Sequence, residues 1–330
     1  MQPSLFADQD HASGSAVRPI HYPAAVHALG EKLPAILRLG TSSWHYPGWA
    51  GLVWDKVYSE AQLSRDGLPA YAEHPLFRTV GVDRGFYRPL TQDQYAAYAA
   101  QVPVDFRFVV KAPALITDAL VRGAGGQGRK VNPHFLDAEA AVRDFAAPAL
   151  AGLGDTLGAL VFQISPLPRA WRQQMPRLID RLRDMLRALP DLKAQAPDAV
   201  VAVEVRDPEW LTPEFVTALK DTSATYCLGL HPKMPPIAEQ LPILRALWPG
   251  PLVCRWNVNP IHGAYGYEAA RDKYAPYDRL QDEDVATRTA LTKVIQGTVG
   301  AGQLAYVTLS NKAEGCAPLS VEALAQTVAC

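Results

Sequence analysis

The chain has few cysteines, no long apolar run and no excess of either charge, and each shortage removes a class of function. Its four cysteines in 330 residues, Cys227, Cys254, Cys316 and Cys330, stand far apart and include no C-x-x-C pair. They read as isolated thiols of a reducing compartment, not as a disulfide framework or a zinc site. No apolar stretch reaches the roughly 20 residues needed to cross a bilayer, and the N-terminus lacks a basic region followed by an apolar one. A cytoplasmic location is the expectation. Lysine plus arginine number 32 against 33 aspartate plus glutamate, a net charge of −1. Bulk basicity that would point to nucleic acid or an anionic membrane is therefore missing. No G-x-G-x-x-G follows the first strand, which argues against a dinucleotide fold. H-x-H and H-E-x-x-H are also absent, so no cofactor is expected. A divalent metal is kept only under the alternative of a metal-dependent phosphoesterase.

What is present is a globular composition, 48% hydrophobic and 20% charged, enough for a large core. Residues 1–33 read as a disordered polar tail. Within it, Gln2, Leu5 and Phe6 of QPSLF resemble the short Q-x-x-L-F peptides that dock bacterial DNA-repair and replication proteins on the sliding clamp. From residue 34 to 330 a single domain is expected, built on a regular rhythm. Strands are read at 36–40, 79–86, 106–110, 160–164, 200–206, 226–230, 252–256 and 304–309. Helices are read between them. In the clearest one, Met175, Leu178, Ile179, Leu182, Met185, Leu186 and Leu189 recur at spacings of three and four. About eight strands alternating with about eight helices is the rhythm of a single (β/α)8 TIM barrel. A doubly wound open sheet is the runner-up.

The central stretch is VVAVEVRDPEW, residues 200–210. Strand alternation places Val201, Val203 and Val205 on one face and Ala202, Glu204 and Arg206 on the other, before Pro208 ends the ladder. The same parity puts Asp83, Lys111, Gln163, Arg255 and Asn257 on one rim, with Asn311 and Lys312 after the last strand. In a barrel of this type the strand C-termini build the active site. Each charge alone could equally be a structural ion pair; the set suggests a ligand, because burying so many polar groups is costly. Lys111, Arg206, Arg255 and Lys312 face only Glu204 and Asp83, which favours an anionic ligand. Cations around Glu204 make it a base or an orienting carboxylate before an acid. Lys111 among cations has a second reading as a nucleophilic amine.

Trp44, Tyr46, Trp49, Phe86, Tyr87, Trp210 and Trp256 cluster near the rim, either as a stacking platform or as core. The glycine-rich run 123–130 and the tyrosine-rich loop 257–281 are candidate mobile loops over the mouth.

Read in order, these motifs resemble the DUF72 (YecE-like) family of TIM-barrel proteins. GTSSWHYPGW is similar to that family's opening G-T-S-G-W-x-Y…W, and FYRP to its F-Y-R-x-P. FRFVVKAP followed by IT, LVFQISP, VEVRDPEW and LSNKAEGCAP follow in the family's order. Glu204, Arg206, Lys111, Gln163, Arg255 and Asn311 carry over. The family's second-strand Glu and Asn fall on Gly81 and Asp83, its His after I-T on Asp118, and the His of its seventh-strand R-x-H on Asn257. The resemblance implies a fold but no reaction. The expectation is an enzyme, a hydrolase or a lyase/isomerase. Its ligand would be small and anionic, nucleotide- or sugar-like, with Glu204 and Lys111 in the chemistry. Binding is expected from Arg206, Arg255, Asn257, Gln163, Asp83, Tyr87, Trp44, Trp210, Asn311 and Lys312. The alternative is a non-catalytic adaptor linked to DNA maintenance through the N-terminal peptide.

Overall fold

A computed structural model describes residues 16–122 and 128–330. Parallel strands close into a barrel in the order β1-β10-β9-β8-β7-β6-β3-β2. The strands are β1 (Leu37–Thr41), β2 (Thr79–Val82), β3 (Arg107–Lys111), β6 (Leu157–Gln163), β7 (Val200–Glu204), β8 (Thr225–Leu230), β9 (Leu252–Trp256) and β10 (Ala305–Leu309). A short antiparallel hairpin of β4 (Leu120–Arg122) and β5 (Gly128–Val131) follows β3. Helices alternate with the barrel strands, which is the (β/α)8 arrangement the rhythm predicts.

The parity argument holds along the barrel. Val200, Ala202, Val109, Ala159, Val161, Cys227, Val253 and Tyr306 form an interior cluster. Val203 and Val205 belong instead to the larger apolar layer between barrel and helices. Small residues keep the interior closed: a Cβ on Gly158 would stand 2.7 Å from the Tyr306 ring. At the N-terminal end of the barrel, Asp198 ties down Arg107 at 2.9 Å and Arg38 at 3.3 Å. The helix Met175–Arg187 buries Met175, Leu178, Ile179, Leu182, Met185 and Leu186, the stripe read from their spacing. Thr91 and Gln94 close a capping box, and Thr212 caps Pro213–Asp221.

Three expectations are corrected. Residues 16–33 are not a tail: Ala24–Lys32 is helical, and Val17, Tyr22 and Leu33 are buried. The helix packs closely because Gly30 lies against Pro75, where a Cβ would meet the carbonyl oxygen at 2.6 Å. The second strand stops at Val82 rather than running to residue 86; Asp83 turns to an α-region backbone and a 3-10 turn, Arg84–Phe86, follows. The loop 257–281 contains a helix, Tyr267–Tyr274, held by a small cluster of Val258, Ala270 and Tyr274. Gln2, Leu5 and Phe6, and most of the glycine-rich run, lie outside the described residues. Among the described residues no helix is long and apolar enough to cross a membrane.

Candidate functional site

Register brings the polar strand ends to one level. Gln163 on β6 pairs with Glu204 on β7, and Gly229 on β8 pairs with Arg255 on β9. Because β7 carries Glu204 inward and the chain then continues to Arg206, both charges project over the barrel interior. Gly229 makes this fit. A Cβ there would lie 3.0 Å from both the Arg206 guanidinium and Glu204 Oε1. Gly229 carries no chemical group, so nothing in the sequence singled it out.

Six of the expected residues form one connected network. Arg255 donates to Glu204 Oε2 at 2.7 Å and to Asp83 Oδ2 at 2.6 Å. Arg206 pairs with Glu204 Oε1. Asn257 Nδ2 donates to the same oxygen at 3.1 Å. Arg206 also reaches Gln163 Oε1 at 3.4 Å. Glu204 is fully buried. Burial alone would raise its pKa; the guanidinium groups of Arg206 and Arg255 outweigh that and hold it down to about 2. Arg255, fully enclosed, would lose charge through burial, but Asp83 and Glu204 drive its pKa up. Both remain charged across the physiological range.

Asp83 differs from Glu204. Its side chain is 40% exposed, and its second oxygen, Oδ1, has no hydrogen-bond partner. The turn Arg84–Phe86 presents it to a cleft of 440 Å³ over the ends of β1, β2 and β10. Ser42, Ser43, Trp44, His45, Arg84 and Lys312 share the lining. Exposed Tyr87 stands at its edge. Trp44 is fixed by its indole N–H donating to Leu63 O at 3.1 Å. The Lys312 amine lies 4.3 Å from the Tyr267 ring centroid, so the helix in the 257–281 segment closes one side of the mouth.

Lys111 ends β3 with its amine 3.7 Å from the centroid of the Phe86 ring, on the turn that carries Asp83. Burial lowers its pKa to about 8; Asp83 and Glu204 push it up, Arg255 and Arg206 push it down. His231, following β8, is held neutral: burial first, then Arg206, lowers it to about 4.

Two expected ligand residues belong neither to the charged network nor to the cleft lining. Trp210 is fully buried against Phe215, with ring centroids 5.8 Å apart, and is absent from the cleft lining. Its position at the end of the short turn Pro208–Trp210 sends it into the helical layer. Asn311 Oδ1 accepts from Trp49 Nε1 at 3.2 Å and from Ala317 N at 2.8 Å. It anchors the start of the last helix, Ala317–Ala329. The cleft also takes residues that alternation could not reach, Ser42, Ser43, His45, Arg84 and Ser310, because they lie past the ends of their strands. Among the described residues no group of three or more His, Cys, Asp or Glu could hold a metal ion.

Solved structures share this architecture. A DUF72 family protein of Enterococcus faecalis V583 superposes with a TM-score of 0.57 at 18% identity, covering 88% of this chain and 95% of its own. A DUF72 family protein of Thermotoga maritima MSB8 gives 0.53 at 20% identity, covering 88% and 98%. At such identities the likeness establishes the fold. No match is found among curated proteins. The family model described as "Protein of unknown function DUF72" matches residues 38–330, so the chain belongs to the DUF72 family.

Proposed function

We propose that the barrel mouth binds a small anion and that the protein is an enzyme acting on it. The observation that carries this reading is the sign of the mouth. Arg206 and Arg255 are balanced by Glu204 and Asp83, so Lys312 in the cleft wall, with Lys111 whenever it is protonated, leaves positive charge in surplus. Closed ion-pair networks need no surplus; an anion supplies the missing charge.

The roles change from those expected for the isolated strand. Glu204 has both oxygens engaged and no exposed surface. It orients the two arginines. Asp83 is the better base: its side chain reaches the cleft, and its enclosed Oδ1 has no partner. Titration calorimetry with inorganic phosphate and with small carboxylates tests the reading: binding is expected to weaken with added salt and in Lys312→Met. Absence of anion binding at low ionic strength would remove it.

A further inference from the structure

We propose that Lys111 is a catalytic nucleophile that forms an imine with a carbonyl-bearing anion held in the mouth; this rests on the anion reading above. Three features of its placement support the assignment. Lys111 ends a barrel strand and lies against the turn that follows Asp83, so its amine is held by the barrel and not by a mobile loop. No carboxylate forms an ion pair with it among the described residues; its close neighbour is the Phe86 ring. An ammonium there has no carboxylate in contact, whereas Arg255 and Arg206 both have one; the Phe86 ring face attracts the charged form, but burial outweighs it and favours the neutral, nucleophilic amine. Finally, the acid acting most strongly on the amine is Asp83, whose Oδ1 is unpartnered.

The step balances without a further reagent. The free amine's lone pair attacks the carbonyl carbon, and the carbon–oxygen π pair moves to oxygen. Asp83 takes the proton from the nitrogen and returns it to that oxygen, giving a carbinolamine. Asp83 then takes the remaining proton from the nitrogen and passes it to the hydroxyl, which leaves as water as the nitrogen pair closes the carbon–nitrogen double bond of a neutral imine. Glu204, Arg255 and Arg206 stay ionised and set the field around the amine. The substrate class is an oxo-acid or a phosphorylated aldehyde or ketone. The ligand carboxylate or phosphate would sit toward Lys312, with its carbonyl toward Lys111.

The test uses the full chain with glyoxylate, the smallest anionic aldehyde, plus cyanoborohydride, followed by peptide mass spectrometry. Exposed Lys220 is the internal reference. At neutral pH Lys111 should acquire the carboxymethyl mark at least about tenfold faster, because a fall from 10.5 to about 8 gives it far more free amine. Its labelling should level off above pH about 8. Asp83→Asn should slow labelling at pH values above this titration, where only the loss of the proton carrier remains. Lys111→Arg, which keeps charge and stem, should lose the mark while unfolding like the parent. Calorimetry with glycolate, which has no carbonyl, separates the two readings. If glycolate binds but Lys111 labels no faster than Lys220, the nucleophile is overturned and the anion site stands. If Lys111 labels fast without glycolate binding, the amine stands and the anion reading falls. If neither occurs, both are overturned.

Discussion

Arg255 spans two carboxylates of opposite character: Glu204 at 2.7 Å, wholly buried, and Asp83 at 2.6 Å, open to the cleft. One guanidinium thus joins the inside of the barrel to its mouth. Its planar fork holds both acids at once, which a lysine's single ammonium cannot do with the same geometry. Arg255→Met should therefore leave Glu204 buried with one cation fewer and cost about 3–5 kcal/mol. Arg255→Lys should recover only part of that. Urea unfolding of the three proteins measures it; a loss below about 1 kcal/mol in Arg255→Met would show that the bridge carries little.

The acid limb of stability follows from Glu204. Its carboxyl has an ordinary value of 4.5 and is held at about 2 in the fold. A depressed folded value means the unfolded chain takes up the proton first as pH falls. The stabilisation is complete above about 4.5 and is lost as pH falls through about 2. This is worth roughly 3 kcal/mol over that window. Glu204→Gln should be less stable than the parent at pH 7, because two arginines lose their partner. Its stability should also fall less steeply between pH 4.5 and 2. Parallel slopes for the two proteins would mean that Glu204 titrates normally.

Gly229 is the clearest case of a site residue the sequence hides. A Cβ there would press on Arg206 and Glu204 at 3.0 Å, tight enough that one of them must give. Both are locked by other bonds. Gly229→Ala should cost about 1–3 kcal/mol and displace the network enough to weaken anion binding. Thermal unfolding with calorimetry in parallel reports both; a variant matching the parent in each would show that the neighbours yield freely.

Much of the fold was legible because alternation is strict in a strand buried on both sides. Val203 and Val205 against Ala202 and Glu204 sorted correctly from parity alone. Where the chain leaves the ladder, parity carries no information. Asp83 kept its place at the rim, but the turn after Val82 was read as more strand. Trp210 and Asn311 were assigned to the mouth by nearness in sequence to a strand end. A short 3-10 turn carried the tryptophan into the helical layer, and helix anchoring claimed the asparagine's side-chain oxygen. Residues 16–33 look like a tail because their apolar side chains show little periodicity; burial of Val17, Tyr22 and Leu33 against the rest of the chain decides their order, and that is a tertiary effect.

The displaced pair yields a contrast. Trp210→Ala removes a fully buried indole and should cost about 3–5 kcal/mol while leaving the affinity for phosphate or a small carboxylate unchanged at temperatures where the fold persists. Asp83→Asn should do the reverse. Its side chain is partly exposed, so the stability change should be small, whereas turnover should fall by about 100-fold or more if Asp83 moves a proton. The comparison needs unfolding and activity on both variants. Lost anion affinity in folded Trp210→Ala would put the indole back in the site.

Lys312 offers the last separation, between charge and packing. Its amine lies over the rings of Tyr267 and Tyr277, at 4.3 and 5.6 Å from their centroids, and the side chain is almost wholly enclosed. The stem therefore packs while the charge faces the cleft. Lys312→Met keeps most of the stem and deletes the charge. It should hold the fold within about 1 kcal/mol and lower anion affinity by about tenfold, near 1.4 kcal/mol. The parent's affinity should fall more steeply with salt than the variant's, because one cation fewer meets the ligand. Equal affinities and equal salt slopes would place the anion elsewhere in the mouth, nearer Arg84 or Lys111, and leave Lys312 as a ring-packed strut beneath the helix Tyr267–Tyr274.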